Sequence, residues 1–261
     1  MPDYTKIDKP SVLTYVFYPR EESGPCPKYA FDGFVQVADD AAVHCRFYKE
    51  NDAWPWLLFF HGNGEVASDY DEIALFYFKY SLNIVVADYR GYGKSTGIPT
   101  VGSISQDAHK VYDSVKEQLK GKGLRDDLCI MGRSLGSISA FEIACRQGSN
   151  INGLIIESGF PSISSLIIRH GIAEADMDLE AITGECLAML KTITIPVLII
   201  HGEYDTLVPS DEAETILENI GSRDKEFLLI PGATHNDIMF VGLRQYMEAI
   251  RKFVEKTASA R

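Results

Sequence analysis

Residues 132–136 read Gly-Arg-Ser-Leu-Gly, a GxSxG pentapeptide between an apolar run, LCIM (128–131), and a helix-like segment, LGSISAFEIACR (135–146). A serine on a sharp strand-to-helix turn sits in strained backbone geometry, and glycines two residues to either side remove side chains that would clash. Such a turn lifts the Ser134 hydroxyl above a sheet and places the Leu135 N–H, at a helix N-terminus, toward developing negative charge. A serine hydroxyl is a poor nucleophile until a neutral imidazole takes its proton, and the imidazole needs a carboxylate to fix its tautomer. His235, in PGATHND (231–237), follows the apolar run EFLLI (226–230); Asp205, in HGEYDTLVP (201–209), follows PVLII (196–200). Their order, Ser134, Asp205, His235, is that of one known arrangement of this chemistry. Glu157, closing GLIIE (153–157), is the substitute acid if Asp205 is only a turn residue.

HGNGE (61–65) follows WLLFF (56–60), where a second oxyanion donor is needed. Gly62 permits close backbone approach, and the Asn63 N–H is the expected donor. His61 directly follows a strand and reads as a brace for its loop, as does His201. His44, His109, His170 and His201 show no metal-ligand spacing, so neither metal nor cofactor is expected. DYRGYGKSTG (88–97) is glycine-rich but lacks GxxxxGK[ST] and opens no helix, which argues against a nucleotide. Asp88 and Arg90 are expected to tie that loop down.

The elements that must hold these residues follow from hydrophobic pattern. FVQVA (34–38) and AVHCRFY (42–48) alternate as half-buried strands around an Asp39-Asp40 turn. WLLFF, NIVVA (83–87), LCIMG (128–132), GLIIE, PVLII and EFLLI are solidly apolar, as strands buried on both faces read. Segments 70–80, 104–119, 134–146, 211–219 and 241–256 have helical length and period. The alternation predicts an α/β fold, a largely parallel sheet with helices on both faces. Residues 160–194 are longer than one crossover helix needs and read as a short helical insertion above the carboxyl ends of the strands, or else as an irregular crossover. The first thirty or so residues, rich in proline and turn formers, are expected to wrap the surface.

At 261 residues, with 46% hydrophobic and 24% charged side chains, one domain over 1–261 is expected, the insertion forming a small cap. The net charge of −12, with no basic run, argues against nucleic acid and against anionic lipid. Five widely spaced cysteines are not a disulfide framework, and no apolar run spans a bilayer. With an N-terminus that lacks a signal-peptide pattern, this predicts a cytoplasmic chain without integral membrane association. Nothing in the pattern sets an oligomeric state.

HGNGE, DYRGYGKS, GRSLG, HGEYDTLVP and GATHND together resemble the serine-aminopeptidase-like and BEM46-like serine hydrolases of the α/β-hydrolase superfamily. These are short-insert members related to acyl-protein thioesterases of the alpha/beta hydrolase domain-containing 17 type, and the resemblance runs over about residues 34–254. It implies an eight-stranded, mostly parallel sheet with strand 2 antiparallel, nucleophile Ser134, acid Asp205, base His235, and oxyanion donors Asn63 and Leu135. A serine nucleophile argues against the dehalogenase and epoxide hydrolase branches, and the lack of an N-terminal cysteine cluster weakens a depalmitoylase reading. The expected activity is cleavage of carboxylic esters or thioesters through an acyl-enzyme, on a small-molecule or acyl substrate held in a fairly open apolar cleft. The alternatives are a peptidase or amidase of the same fold and a non-enzymatic ligand-binding protein. For an aminopeptidase, Glu174, Asp176, Asp178 and Glu180 are candidate grips on the substrate amine, unless they form a solvated helix face.

Overall fold

The computed structural model describes residues 2–22 and 24–259. In chain order the elements are α1 (Pro10–Val16), β1 (Ala30–Ala38), β2 (Ala41–Tyr48), β3 (Trp56–Phe60), α2 (Ala74–Lys79), β4 (Asn83–Ala87), α3 (Val101–Gly121), β5 (Leu128–Arg133), α4 (Ser137–Gln147) and β6 (Gly153–Glu157). They continue with α5 (Ser164–Arg169), α6 (Leu179–Thr192), β7 (Val197–Gly202), α7 (Ser210–Asn219), β8 (Lys225–Ile230), α8 (Ile238–Val241) and α9 (Leu243–Ser259). The eight strands form one sheet in the order β1-β2-β4-β3-β5-β6-β7-β8. β2 runs antiparallel to both its neighbours, and the other pairs from β4 to β8 are parallel. This is the α/β-hydrolase fold that the apolar runs and motifs predict.

β3 through β7 are buried along their whole length, so the solid apolar runs lie between two helical layers. One apolar cluster packs residues of α1, α3, α4, α6 and α7 against the sheet. The other packs α2, α8 and α9 on the opposite face. Tyr246, Met247, Ile250, Phe253 and Val254 make the inward stripe of α9 at helical spacing. From β3 the chain moves outward to β4 and then returns to β5 on the other side of β3. The loops leaving β3 and β5 therefore diverge, opening a crevice at the carboxyl ends of the strands where open sheets hold ligands.

Several segments differ from the sequence expectation. EFLLI, read as buried on both faces, forms the edge strand β8, in which Phe227 and Leu229 are exposed and Ile230 is buried. AVHCRFY, read as half-buried, is buried in β2 from Val43 to Tyr48. The N-terminal stretch is not a surface wrapping: α1 starts at Pro10, whose fixed φ suits a first helical turn, and buries Val12 and Val16 in the core. Just before it, Asp8 accepts from the Val101 and Gly102 N–H groups at the start of α3. The helix expected over 70–80 is shortened to α2, because residues 67–70 form a 3₁₀ turn in which Asp88 accepts the Ala67 N–H and Asp69 the Val66 N–H. The helix expected from Ser134 begins at Ser137, after a 3₁₀ turn over Ser134–Gly136. The insertion is helical, holding α5 and α6. Among the described residues no helix is long and apolar enough to cross a membrane, and no disulfide joins the five cysteines.

Candidate active site

Ser134 follows the last residue of β5 with φ +50°, in the left-handed region a non-glycine residue rarely occupies. The turn closes because its glycines lack side chains. A Cβ on Gly136 would stand 2.1 Å from the Phe60 carbonyl oxygen at the end of β3, and one on Gly132 2.4 Å from the Gly136 carbonyl oxygen. The elbow thus packs directly on the neighbouring strand, which brings Ser134 beside the loop that carries Asn63.

His235, on the loop after β8, reaches Ser134 Oγ with Nε2 at 3.1 Å and Asp205 Oδ2 with Nδ1 at 2.7 Å. A carboxylate only accepts, so Nδ1–H donates to Asp205 and Nε2 is left to accept from the serine hydroxyl. Asp205 Oδ1 accepts the N–H groups of Leu207 and Val208 at 3.0 and 2.8 Å, which fixes the carboxylate on its loop after β7. Burial pushes the Asp205 carboxyl up, but the hydrogen bond and charge of His235, the Val208 N–H and nearby His201 outweigh it and hold it below its ordinary range. All three side chains are nearly buried.

The structure places Glu157 elsewhere. Its oxygens accept from Arg133 Nε at 3.1 Å and from the Tyr246 hydroxyl at 2.6 Å. Of the two carboxylates considered, Asp205 is the one hydrogen-bonded to His235. His61 braces its loop as expected: Nδ1–H donates to the Gly62 carbonyl at 2.8 Å and Nε2–H to Asp88 Oδ1 at 3.2 Å. Burial would lower its pKa, yet the Asp88 hydrogen bond and charge raise it overall, in keeping with an imidazolium facing two acceptors. His201 donates to the Val208 carbonyl at 2.7 Å and supports the Asp205 loop. Arg90 pairs with Asp107 at 2.7 Å, and Asp88 also receives His44 Nδ1 at 2.7 Å, so both residues tie down the glycine-rich loop.

Ser134, Leu135 and Asn63 border a cavity of about 220 Å³. Asn63 is held by its side chain, whose Oδ1 accepts the Tyr18 N–H at 3.0 Å and the Tyr92 hydroxyl at 2.7 Å. Leu166, His170 and Ile172 of the insertion wall the cavity from one side. Tyr15, Val16 and Tyr18, at the end of α1 and just beyond it, wall it from another. The sequence reading missed this second wall; its signal was Pro10 at a helix start with Val12 and Val16 four residues apart. The acidic residues of the insertion do not reach the cavity. Glu174 and Asp176 are exposed and pair with Lys9, Asp178 caps α6 by accepting the Ala181 N–H, and Glu180 is exposed.

One group of potential metal ligands lies close together among the described residues: Glu22, His44 and Asp88. Arg46 Nη2 at 2.5 Å and Lys94 Nζ at 3.1 Å already balance the Glu22 carboxylate, so the cluster reads as an ion-pair network tying the N-terminal segment to the sheet.

The family model for serine aminopeptidase S33 matches residues 52–173 and 164–239. The protein bem46 of Schizosaccharomyces pombe is 29% identical over 187 residues, covering 70% of this chain and 62% of its own length. Human alpha/beta hydrolase domain-containing protein 17B is 30% identical over 220 residues, covering 82% of this chain and 71% of its own. The chain thus spans less than two thirds of the fission-yeast relative. Among solved structures, the Pyrococcus furiosus esterase Pf2001 aligns over 92% of this chain and 99% of its own at a TM-score of 0.75 and 20% identity. Est1E of Butyrivibrio proteoclasticus, solved with ferulic acid bound, aligns over 87% and 99% at a TM-score of 0.70 and 18% identity. These structural likenesses establish the fold.

Proposed function

This chain belongs to the serine aminopeptidase S33 family of α/β hydrolases, and from that premise we propose that it cleaves carboxylic esters or thioesters through an acyl-enzyme on Ser134. The observation that carries the reading is His235 Nε2 standing 3.1 Å from Ser134 Oγ at the edge of an apolar cavity, with Asp205 behind it. His235 accepts the Ser134 proton as Oγ attacks the acyl carbonyl. The N–H groups of Asn63 and Leu135 receive the oxyanion, and Asp205 stabilises the imidazolium. Collapse of the tetrahedral species expels the alcohol or thiol, which takes its proton from His235. Water, deprotonated by His235, then releases the acid and restores Ser134.

The chain is read as one domain in which residues 160–194 form a small cap over one wall of the cavity. The cavity's size and apolar walls favour short acyl groups. The test is turnover of p-nitrophenyl esters from acetyl to palmitoyl, with an aminoacyl anilide alongside and Ser134→Ala as control. Hydrolysis of acetyl and butyryl esters that vanishes in the variant supports the reading. A strong preference for palmitoyl would contradict the short-acyl assignment. Cleavage of the anilide in preference to every ester would replace the reading with an amidase.

A further inference from the structure

Arg133 is the last residue of β5, directly before the nucleophile, and it is 8% exposed. Its guanidinium meets three separate loops and strand ends. Nη2 donates to the His235 carbonyl at 2.9 Å and to Asn236 Oδ1 at 3.0 Å; Nε donates to Glu157 Oε1 at 3.1 Å; Nη1 donates to Glu65 Oε1. The other Glu65 oxygen accepts the Gly62 N–H at 3.0 Å and the Tyr70 hydroxyl at 2.7 Å, which anchors the loop carrying Asn63. Gly62 lies close under this contact: a Cβ there would stand 2.2 Å from Arg133 Nη1, so the guanidinium would have to shift. One planar cation therefore touches the base loop directly and the oxyanion loop through a carboxylate, while its own backbone leads into the Ser134 elbow.

We propose that Arg133 is a positioning residue that holds the His235 loop and the Asn63 loop in register with Ser134. The inference rests on the serine hydrolase reading above. The fork geometry of a guanidinium suits this task, since its donors are fixed in one plane and serve several acceptors at once. Lysine's three donors radiate from one nitrogen on a flexible stem and do not present the fixed, spread fork that meets the His235 carbonyl, Glu157 and Glu65 together. Burial works against the charge on Arg133, but Glu65 and Glu157 hold it charged, so the strut stays ionised over the working pH range. A second cavity, of about 170 Å³, is bordered by Arg133, Glu65, Glu157 and Asn236, giving a small cation a route to the same acceptors.

The experiment compares the parent with Arg133→Lys, Arg133→Met and Arg133→Ala. Two readouts are taken: steady-state kinetics on p-nitrophenyl butyrate, and amide hydrogen exchange of peptides spanning residues 61–66 and 233–238. A misplacement of about 1 Å at the reacting groups lowers kcat roughly hundredfold. The expected result is a fall of that size in Arg133→Met and Arg133→Lys, with KM within about threefold of the parent, and faster exchange in both peptides. Guanidinium chloride at millimolar concentration is expected to restore part of the Arg133→Ala turnover, while sodium chloride does not. A folded Arg133→Met with kcat within about threefold of the parent, or with unchanged exchange in both loops, overturns the inference. If Arg133→Met does not fold, Arg133→Lys decides by the same two readouts. If the parent itself turns over no ester but the variants loosen both loops, the positioning role stands and the ester reading falls.

Discussion

Adding one methyl group at Gly136 tests whether the elbow is held by its contact with β3. The Cβ of Gly136→Ala would fall 2.1 Å from the Phe60 carbonyl oxygen, 2.7 Å from its carbon and 3.0 Å from the His61 carbonyl oxygen. All three are backbone atoms at the end of a strand paired on both sides, so no rotamer change relieves the overlap. Elbow and strand must separate by about 1.3 Å to bring the 2.1 Å contact out to ordinary van der Waals distance. Because β3 runs straight into the loop carrying Asn63, that separation moves Ser134 relative to the oxyanion donor. The expected loss is roughly hundredfold in kcat/KM, with about 1–3 kcal/mol of stability lost to overpacking. Gly184→Ala is the matched control: Gly184 is exposed within α6 and a Cβ there meets nothing within 4 Å. It should gain about 0.5–1 kcal/mol, because alanine restricts the unfolded chain more than glycine does. Urea denaturation and ester kinetics measure both variants. A Gly136→Ala protein as stable as the parent and within about threefold of its activity would refute the packing argument.

Asp205→Asn should lower kcat about 10⁴-fold by disrupting the required tautomer of His235; Glu157→Gln should leave the Asp205–His235 pair intact, and near-normal turnover in Asp205→Asn with loss in Glu157→Gln would reverse the acid assignment. Because the folded-state pKa of Asp205 lies below its ordinary value of 3.8, its ionised form contributes stability above that value and loses it as pH falls through the folded one. Thermal denaturation should therefore show Asp205→Asn losing less stability than the parent between pH 5 and pH 3. Glu142, buried in α4, behaves oppositely: burial pushes its carboxyl up to about 7 against a weaker pull from Ser105, and among the described residues neither oxygen has a hydrogen-bond partner in good geometry. Its folded form binds the proton more tightly than the unfolded chain, so stability falls as pH rises from 4.5 to about 7, by about 3 kcal/mol at about 1.4 kcal/mol per pH unit. Glu142→Gln should flatten that slope in urea denaturation at pH 5 and pH 8, and an unchanged slope would show that the carboxylate is solvated or paired.

Much of the molecule was legible in its residues because the relevant forces act over short stretches. Strands β3 to β7 announce themselves as apolar runs, since each is covered on both faces, and α9 shows its inward stripe at helical spacing. The glycines around Ser134 mark a local steric demand, and the positions of Asp205 and His235 just past strand ends follow from the alternation. What the sequence could not decide depends on which strand ends become neighbours. Asp205 and Glu157 both follow apolar runs, and only the packed loops put Asp205 at 2.7 Å from His235 while turning Glu157 toward Arg133 and Tyr246. The strut through Arg133 joins residues 68, 24 and 102 positions away, and no period or motif encodes such a spacing. The wall formed by Tyr15, Val16 and Tyr18 likewise exists only because α1 docks beside the Asn63 loop. Local pattern determined the strands, the elbow and the candidate chemistry; strand order and long-range packing decided which carboxylate lies against His235, what encloses the cavity and which side chains Arg133 reaches, because contacts between residues far apart in sequence arise only when the sheet brings their loops together.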